Sequence, residues 1–174
     1  MRYCIQPATS ADVAFLALAM DPDSADWGGG NELDQAHRLL NTCASSTQVW
    51  AARDLTGTPC ALWGVTPRLD DLEVGCLWLL ACEQFGEESN DFCSLSGMVL
   101  AEILSEYPRL ENFVDAHKGR AIDLLRSIGF TVEPAETHLA SGKRCHLVWM
   151  EAGGVLAAHG LHAMMATERP ARLN

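Results

Sequence analysis

The sequence predicts an α/β fold: a mixed, mostly antiparallel sheet flanked by helices, with an added C-terminal helix. Three observations carry this expectation. Segments of strand and helix character follow one another in the order β-α-α-β-β-β-α-β-α-β-β. One of them, Val74 to Cys82, is an almost unbroken apolar run, the pattern of a central strand covered on both faces. Proline and glycine stand at the joints, at Pro7, Pro22, Pro59, Pro108 and Gly129.

Arg2 to Gln6 reads as a short strand closed by Pro7. Thr9 or Ser10 caps a helix to about Met20, where Val13, Leu16 and Met20 recur at helical spacing. Asp21-Pro22-Asp23 breaks it, and Trp27-Gly28-Gly29-Gly30 forms a loop. Asn31 caps a second helix, with Leu33, His37, Leu40 and Ala44 expected on one face. Gln48 to Arg53 and Cys60 to Thr66 make a hairpin across the turn Asp54 to Pro59. After the apolar strand comes an acidic loop, Glu83 to Asp91, and a helix from about Phe92 to Tyr107. Leu110 to Ala116 is a strand, and His117 to Ile128 a helix stopped at Gly129, a usual place for a left-handed C-terminal cap. Phe130 to Thr137 and Arg144 to Met150 form a last hairpin across Ser141-Gly142-Lys143, and Val155 to Thr167 follows Gly153-Gly154 as one more helix.

The 174 residues suit one domain over residues 1–152 with an extension over 153–174. The apolar share of 48% is that of a chain with a sizeable core. Acidic residues outnumber basic ones by 23 to 12, a net charge of −11, which argues against nucleic acid or an anionic membrane as partner. No apolar run nears the roughly 20 residues that span a bilayer, and the start lacks a signal-peptide apolar stretch, so export is not expected. Seven cysteines without C-x-x-C spacing read as reduced thiols in core positions, not as a zinc site.

Two stretches resemble the Gcn5-related N-acetyltransferase (GNAT) family. Asn112-Phe113-Val114-Asp115-Ala116, followed by the helix Ala121 to Ile128 and then Gly129-Phe130, is similar to a family strand and a helix ending in "lGF". Ile5-Gln6-Pro7-Ala8-Thr9-Ser10-Ala11-Asp12 resembles the family opening "iR.at..D". The resemblance covers Arg2 to Met150. A narrower resemblance is to small GNAT-like proteins of tailed phages, including the T7-like internal virion protein family. It rests on Cys76 to Phe85 and on Ile122 to Gly129.

The resemblance implies an acetyl-CoA site, with Leu80, Cys82, Gly86, Ser94 and Gly97 at its cofactor-binding positions and Glu83 as the base. As a surface residue, Glu83 would be an ordinary solvated carboxylate. The expected phosphate loop, R/Q-x-x-G-x-G/A, is missing between Glu83 and Gly97. From Asp70 to Asp115 eleven acidic residues face one basic, Arg109, so this segment carries −10 of the −11. Each carboxylate near a phosphate costs on the order of 1 kcal/mol in water. Leu125 holds the place of the family's acidic tyrosine, and Lys118 that of an asparagine before the helix. Neither Cys82 nor Cys93 has a basic partner nearby in sequence that would activate it as a nucleophile. His117 and Lys118 open the last helix. His159 and His162 are three apart but lack a third metal ligand, so no metal is expected.

These readings favour a phage virion-associated or assembly protein on a GNAT-like fold with a degenerate site and no cofactor. Its expected partners are other virion proteins or a second copy, met through the C-terminal segment. Its expected place is the host cytoplasm and then the virion. The alternative is an active acetyl-CoA-dependent N-acetyltransferase of a basic amine, such as a polyamine or a lysine side chain. A small regulatory binding module is a third reading.

Overall fold

In the computed structural model residues 3–19, 32–81, 89–138 and 142–152 are described, with the backbone alone for 32–35, 89–96 and 98. The chain runs β1 (Tyr3–Pro7), α1 (Ser10–Ala19), α2 (Glu32–Ser45), β2 (Gln48–Asp54), β3 (Pro59–Arg68), β4 (Asp71–Ala81), α3 (Ser89–Glu106), β5 (Arg109–Asp115), α4 (Gly119–Ser127), β6 (Thr131–Val132), β7 (Glu136–Thr137) and β8 (Arg144–Glu151). The sheet order is β1-β2-β3-β4-β5-β8-β6, with β7 also on β8. Every pair is antiparallel except β4 with β5. The expected mixed sheet is therefore present, with the apolar run of β4 at its centre. The expected C-terminal helix, and the extension over 153–174 with it, lies outside the described residues.

Two caps explain why the helices begin and end where they do. Thr9 is the N-cap of α1: its Oγ1 accepts from the Asp12 backbone N–H at 3.3 Å, and Asp12 Oδ2 accepts from the Thr9 N–H at 2.7 Å. Asp12 is only 5% exposed, and the Arg53 guanidinium on β2 grips both its oxygens, Nε reaching Oδ1 at 2.9 Å. That ion pair, helped by the Thr9 hydrogen bonds, holds the Asp12 carboxyl down to about 2 against the opposing effect of burial. At the other cap, Gly129 (φ 101°) follows the end of α4. The Gly129 N–H donates to the Arg126 carbonyl at 3.1 Å and the Phe130 N–H to the Leu125 carbonyl at 2.9 Å, a Schellman motif. Phe130 is then buried in the core.

The two faces of the sheet carry two apolar clusters. Helices α1 and α2 cover Ala51, Leu62, Trp78 and Leu80 with Val13, Leu16 and Leu39. Val99, Leu100, Ile103, Leu104 and Tyr107 of α3 cover Ala52, Ala61, Trp63, Val65, Leu77 and Leu110, with Val148 and Met150 from β8. The buried face of α2 differs from the expected one. Leu39 is 1% exposed and Cys43 packs beside it, whereas Leu40 is 49% exposed and His37 is also exposed. With few strongly apolar residues in the helix, Leu39 and Leu40 each define a plausible stripe from sequence, and contact with α1 and β3 selects Leu39. The strand expected over Phe130 to Thr137 is split into β6 and β7, two short pairings with β8. None of the described helices is long and apolar enough to cross a membrane.

Close approach fixes one glycine. A Cβ on Gly75 of β4 would lie 2.5 Å from Val65 Cγ2, 2.9 Å from Leu110 Cδ2 and 3.0 Å from the Tyr107 ring. Gly75→Ala is expected to lower stability by about 1–3 kcal/mol through overpacking. Gly119→Ala, at the open first position of α4 with nothing within 4 Å, is expected to leave stability unchanged or raised. Thermal melts of the two variants check the contrast, and equal losses would refute it.

The Asp12–Arg53 pair makes a second prediction. Because the folded-state carboxyl titrates near 2 and the unfolded one near 3.8, its contribution is complete above pH 4 and fades as pH falls towards 2. The shift corresponds to about 2 kcal/mol. Asp12→Asn, which leaves Arg53 without its anion, is expected to cost about 3 kcal/mol at neutral pH. Denaturant unfolding should show the gap between wild type and variant narrowing from pH 4 downwards. A gap independent of pH would mean that the charge contributes nothing.

Candidate functional site

The site follows from the way β4 and β5 separate. They pair in parallel at only three places, Val74 with Arg109, Gly75 with Leu110 and Cys76 with Glu111. Beyond that point β4 continues to Ala81 and β5 to Asp115, and no ladder joins them. On its other side β4 stays paired with β3 as far as Ala81. Among the described residues, the β5-facing backbone edge of Leu77 to Ala81 therefore has no strand beside it. Where the strands part, a side chain replaces the ladder: Asn112 Nδ2 donates to the Leu77 carbonyl, while Asn112 Oδ1 accepts from the Phe113 N–H at 2.7 Å. Among the described residues the two strands thus bound a wedge-shaped cleft, with no strand on its β4 side beyond the Asn112 bridge.

The closed end of the wedge is held by charge. Glu111 is 8% exposed, and it accepts hydrogen bonds from Arg68 and from Arg109 Nε. Arg68 also binds Asp70 at 2.8 Å, and Arg109 reaches Glu151 at 3.3 Å while its guanidinium lies 4.6 Å above the Trp149 ring. Beside Glu111, burial and that negative charge push the Cys76 thiol up.

At the open end, Asp115 closes β5. Its Oδ1 accepts from the His117 N–H at 2.9 Å and pairs with His117 Nδ1 at 3.0 Å. These bonds hold the Asp115 carboxyl below the usual carboxylate range. Lys143 Nζ lies 3.9 Å from Asp115 Oδ2, and the Ala116 N–H donates to the Arg144 carbonyl, which ties the turn to β8. Phe113 is half-exposed on β5, with its ring centroid 4.5 Å from that of His138.

The segment charge of −10 thus meets cations that the linear count left out. Arg68 lies just before the segment and Lys143 is distant in sequence, yet both pair with its carboxylates. The free repulsion expected of Asp70, Glu111 and Asp115 is reduced accordingly. Glu83, Glu87 and Glu88 lie outside the described residues, and so do Cys82, Gly86, Trp27, His159 and His162.

Of the remaining expected positions, Leu80 turns its side chain into the cluster under α1 and α2, so only its backbone borders the cleft. Ser94 and Gly97 belong to α3. The four N–H groups that have no acceptor within that helix precede both of them, at 89–92. Leu125 packs against the core and offers no proton, and His117 and Lys118 stand at the open end. Sequence reasoning missed Asn112 as a bridge. No local signal marked it, because β5 also carries Arg109, Glu111 and Asp115. No group of three or more potential metal ligands exists among the described residues.

No protein-family model matches the chain, and no curated protein is similar to it in sequence. Solved structures do match. A spermidine N-acetyltransferase SpeG chimera from Vibrio cholerae and hSSAT superposes with a TM-score of 0.68 at 10% identity, over 90% of this chain and 99% of that one. Ribosomal-protein-S5-alanine acetyltransferase from Vibrio fischeri gives 0.66 at 9% identity, over 87% and 94%. An acetyltransferase of the GNAT family from Streptococcus pneumoniae gives 0.58 at 16% identity, over 86% and 98%. These similarities lend no support to the expected phage or virion link. They establish that the chain has the GNAT acetyltransferase fold.

Proposed function

We propose that this chain is an acetyl-CoA-dependent N-acetyltransferase whose acceptor is a basic amine. The reading of a virion or assembly protein without a cofactor has nothing on its side from the fold or the comparisons, and it is set aside. One observation carries the proposal: among the described residues no strand lies on the β5-facing side of β4 from Leu77 to Ala81, because β5 departs. A strand edge with unused N–H and C=O groups suits an extended ligand that carries amides of its own, as the pantetheine arm of CoA does. When bound there, acetyl-CoA supplies an activated acetyl thioester.

The residues of the chain then have separable tasks. The backbone of β4 binds and aligns the arm. Asn112 fixes where the cleft begins, because its amide occupies the Leu77 carbonyl that a continued ladder would use. Leu79 of β4 and Phe113 of β5, both partly exposed, are apolar residues on the strands that border the cleft. The net charge of −11 draws a cationic acceptor and disfavours an anionic one. The similarity to a spermidine N-acetyltransferase SpeG chimera fits such an acceptor by analogy of fold alone.

Calorimetric titration with acetyl-CoA at low and moderate salt tests the proposal. Saturable binding in the micromolar range is expected, followed by acetylation of spermidine or of a lysine peptide. No heat at millimolar acetyl-CoA would overturn it. Asn112→Ala is expected to weaken acetyl-CoA binding about fivefold, the worth of one hydrogen bond of ~1 kcal/mol, with little change in melting temperature. Unchanged affinity in that variant would remove Asn112 from the site.

A further inference from the structure

We infer that residues 155–167 of the chain dock as a helix on the half of the sheet that α1 and α2 leave uncovered. The inference goes beyond the proposed function and does not depend on it. It starts from the two faces of β5 and β8. Their antiparallel register places Leu110 and Asn112 with Met150 and Val148 on one face, where α3 covers Leu110, Val148 and Met150. Glu111 and Phe113 share the opposite face with Trp149 and Leu147. Cys76 of β4 pairs with Glu111, and Trp78 and Leu80 follow at alternate positions of β4, under α1 and α2. The second face is thus the one those two helices cover, and their cluster ends at β4.

Three apolar side chains lie past that end. Phe113 is 49% exposed, and Leu147 and Trp149 are partly exposed. Among the described residues, none of the three joins either apolar cluster. Arg109 lies over the Trp149 ring and His138 beside the Phe113 ring, which leaves the face only partly shielded. A sheet that carries apolar residues on both faces calls for a second layer on each.

Connection, length and charge select the occupant. The Ala152 N–H donates to the Pro108 carbonyl at 3.3 Å, so the chain leaves β8 beside the start of β5. Gly153-Gly154 then gives the backbone the freedom to turn back over the sheet. As a helix, residues 155–167 would be about 20 Å long, close to the ~20 Å spanned by the seven residues of β5. Such a helix carries Ala157, Ala158, Leu161, Met164 and Met165 in one apolar stripe, with His159 and His162 off it. Residues 153–174 hold Arg169 and Arg172 against Glu168, a net +1, which leaves −12 on residues 1–152. A second copy would bring another −12 to a face that already has Asp115 and Glu151 on it, whereas residues 153–167 bring no acidic group. The tether also keeps the segment at an effective concentration of about millimolar.

Phe113→p-benzoylphenylalanine in the full chain tests the docking, since benzophenone reacts on irradiation with C–H bonds beside it, those of methionine above all. Mass spectrometry locates the adduct. An adduct within one chain, on residues 155–167, is expected. Adding Leu161→Asp, which puts a charge on the apolar stripe, should lower its yield about tenfold. An adduct that joins two chains would assign the face to a second copy and overturn the inference. So would an adduct on any other segment, no adduct, or a yield unchanged by Leu161→Asp. The unaltered chain gives a second readout that does not depend on the Phe113 variant folding. Peroxide should oxidise Met164 and Met165 about tenfold more slowly in the native chain than in denaturant, and equal rates would overturn the docking.

Discussion

The parting of β4 from β5 is the constraint on which the rest of the structure turns. Three residue pairs join the two halves of the sheet, and beyond them the halves diverge. A sheet that opens in this way loses ladder hydrogen bonds and must recover cohesion elsewhere. Helix α3 supplies it. Val99, Leu100, Ile103 and Leu104 sit in one cluster with Ala61, Trp63 and Leu77 from the first half and with Leu110, Val148 and Met150 from the second. The Glu111 network at the closed end adds polar attachment between Arg68 of the first half and β5 of the second. The cleft is thus a permanent opening in a sheet whose integrity is secured behind it.

Much of the fold was legible because its punctuation is local. The opening motif ends in Asp12, which serves the cap of α1 and then the Arg53 pair. The Gly-Phe ending of α4 is a left-handed cap followed by a buried anchor. Both are decided within a few residues of chain, so sequence displays them. They report architecture, and this is why a family resemblance built on them predicts the sheet well and chemistry poorly.

The site was less legible because it is made of register and of distant partners. Nothing near Asn112 in sequence says that its amide will meet the Leu77 carbonyl, thirty-five residues earlier in the chain. The carboxylates between Asp70 and Asp115 looked uncompensated because their cations, Arg68 and Lys143, stand outside that window. The α2 face was misjudged for a related reason. Two adjacent leucines gave two possible stripes, and only the neighbouring helix and strand decide between them. Local rules govern the first kind of feature and tertiary geometry the second.

The caps have an evolutionary consequence. Neither Asp12 with Arg53 nor Gly129 with Phe130 shares a hydrogen bond or ion pair with the residues that border the cleft. Substitutions along the cleft can therefore accumulate without passing through an unfolded intermediate sequence, since distant sites contribute to stability nearly independently. A lineage carrying this scaffold is free to change the residues along its cleft while its frame stays intact, and this chain still superposes on structures with which it shares only 9–16% identity.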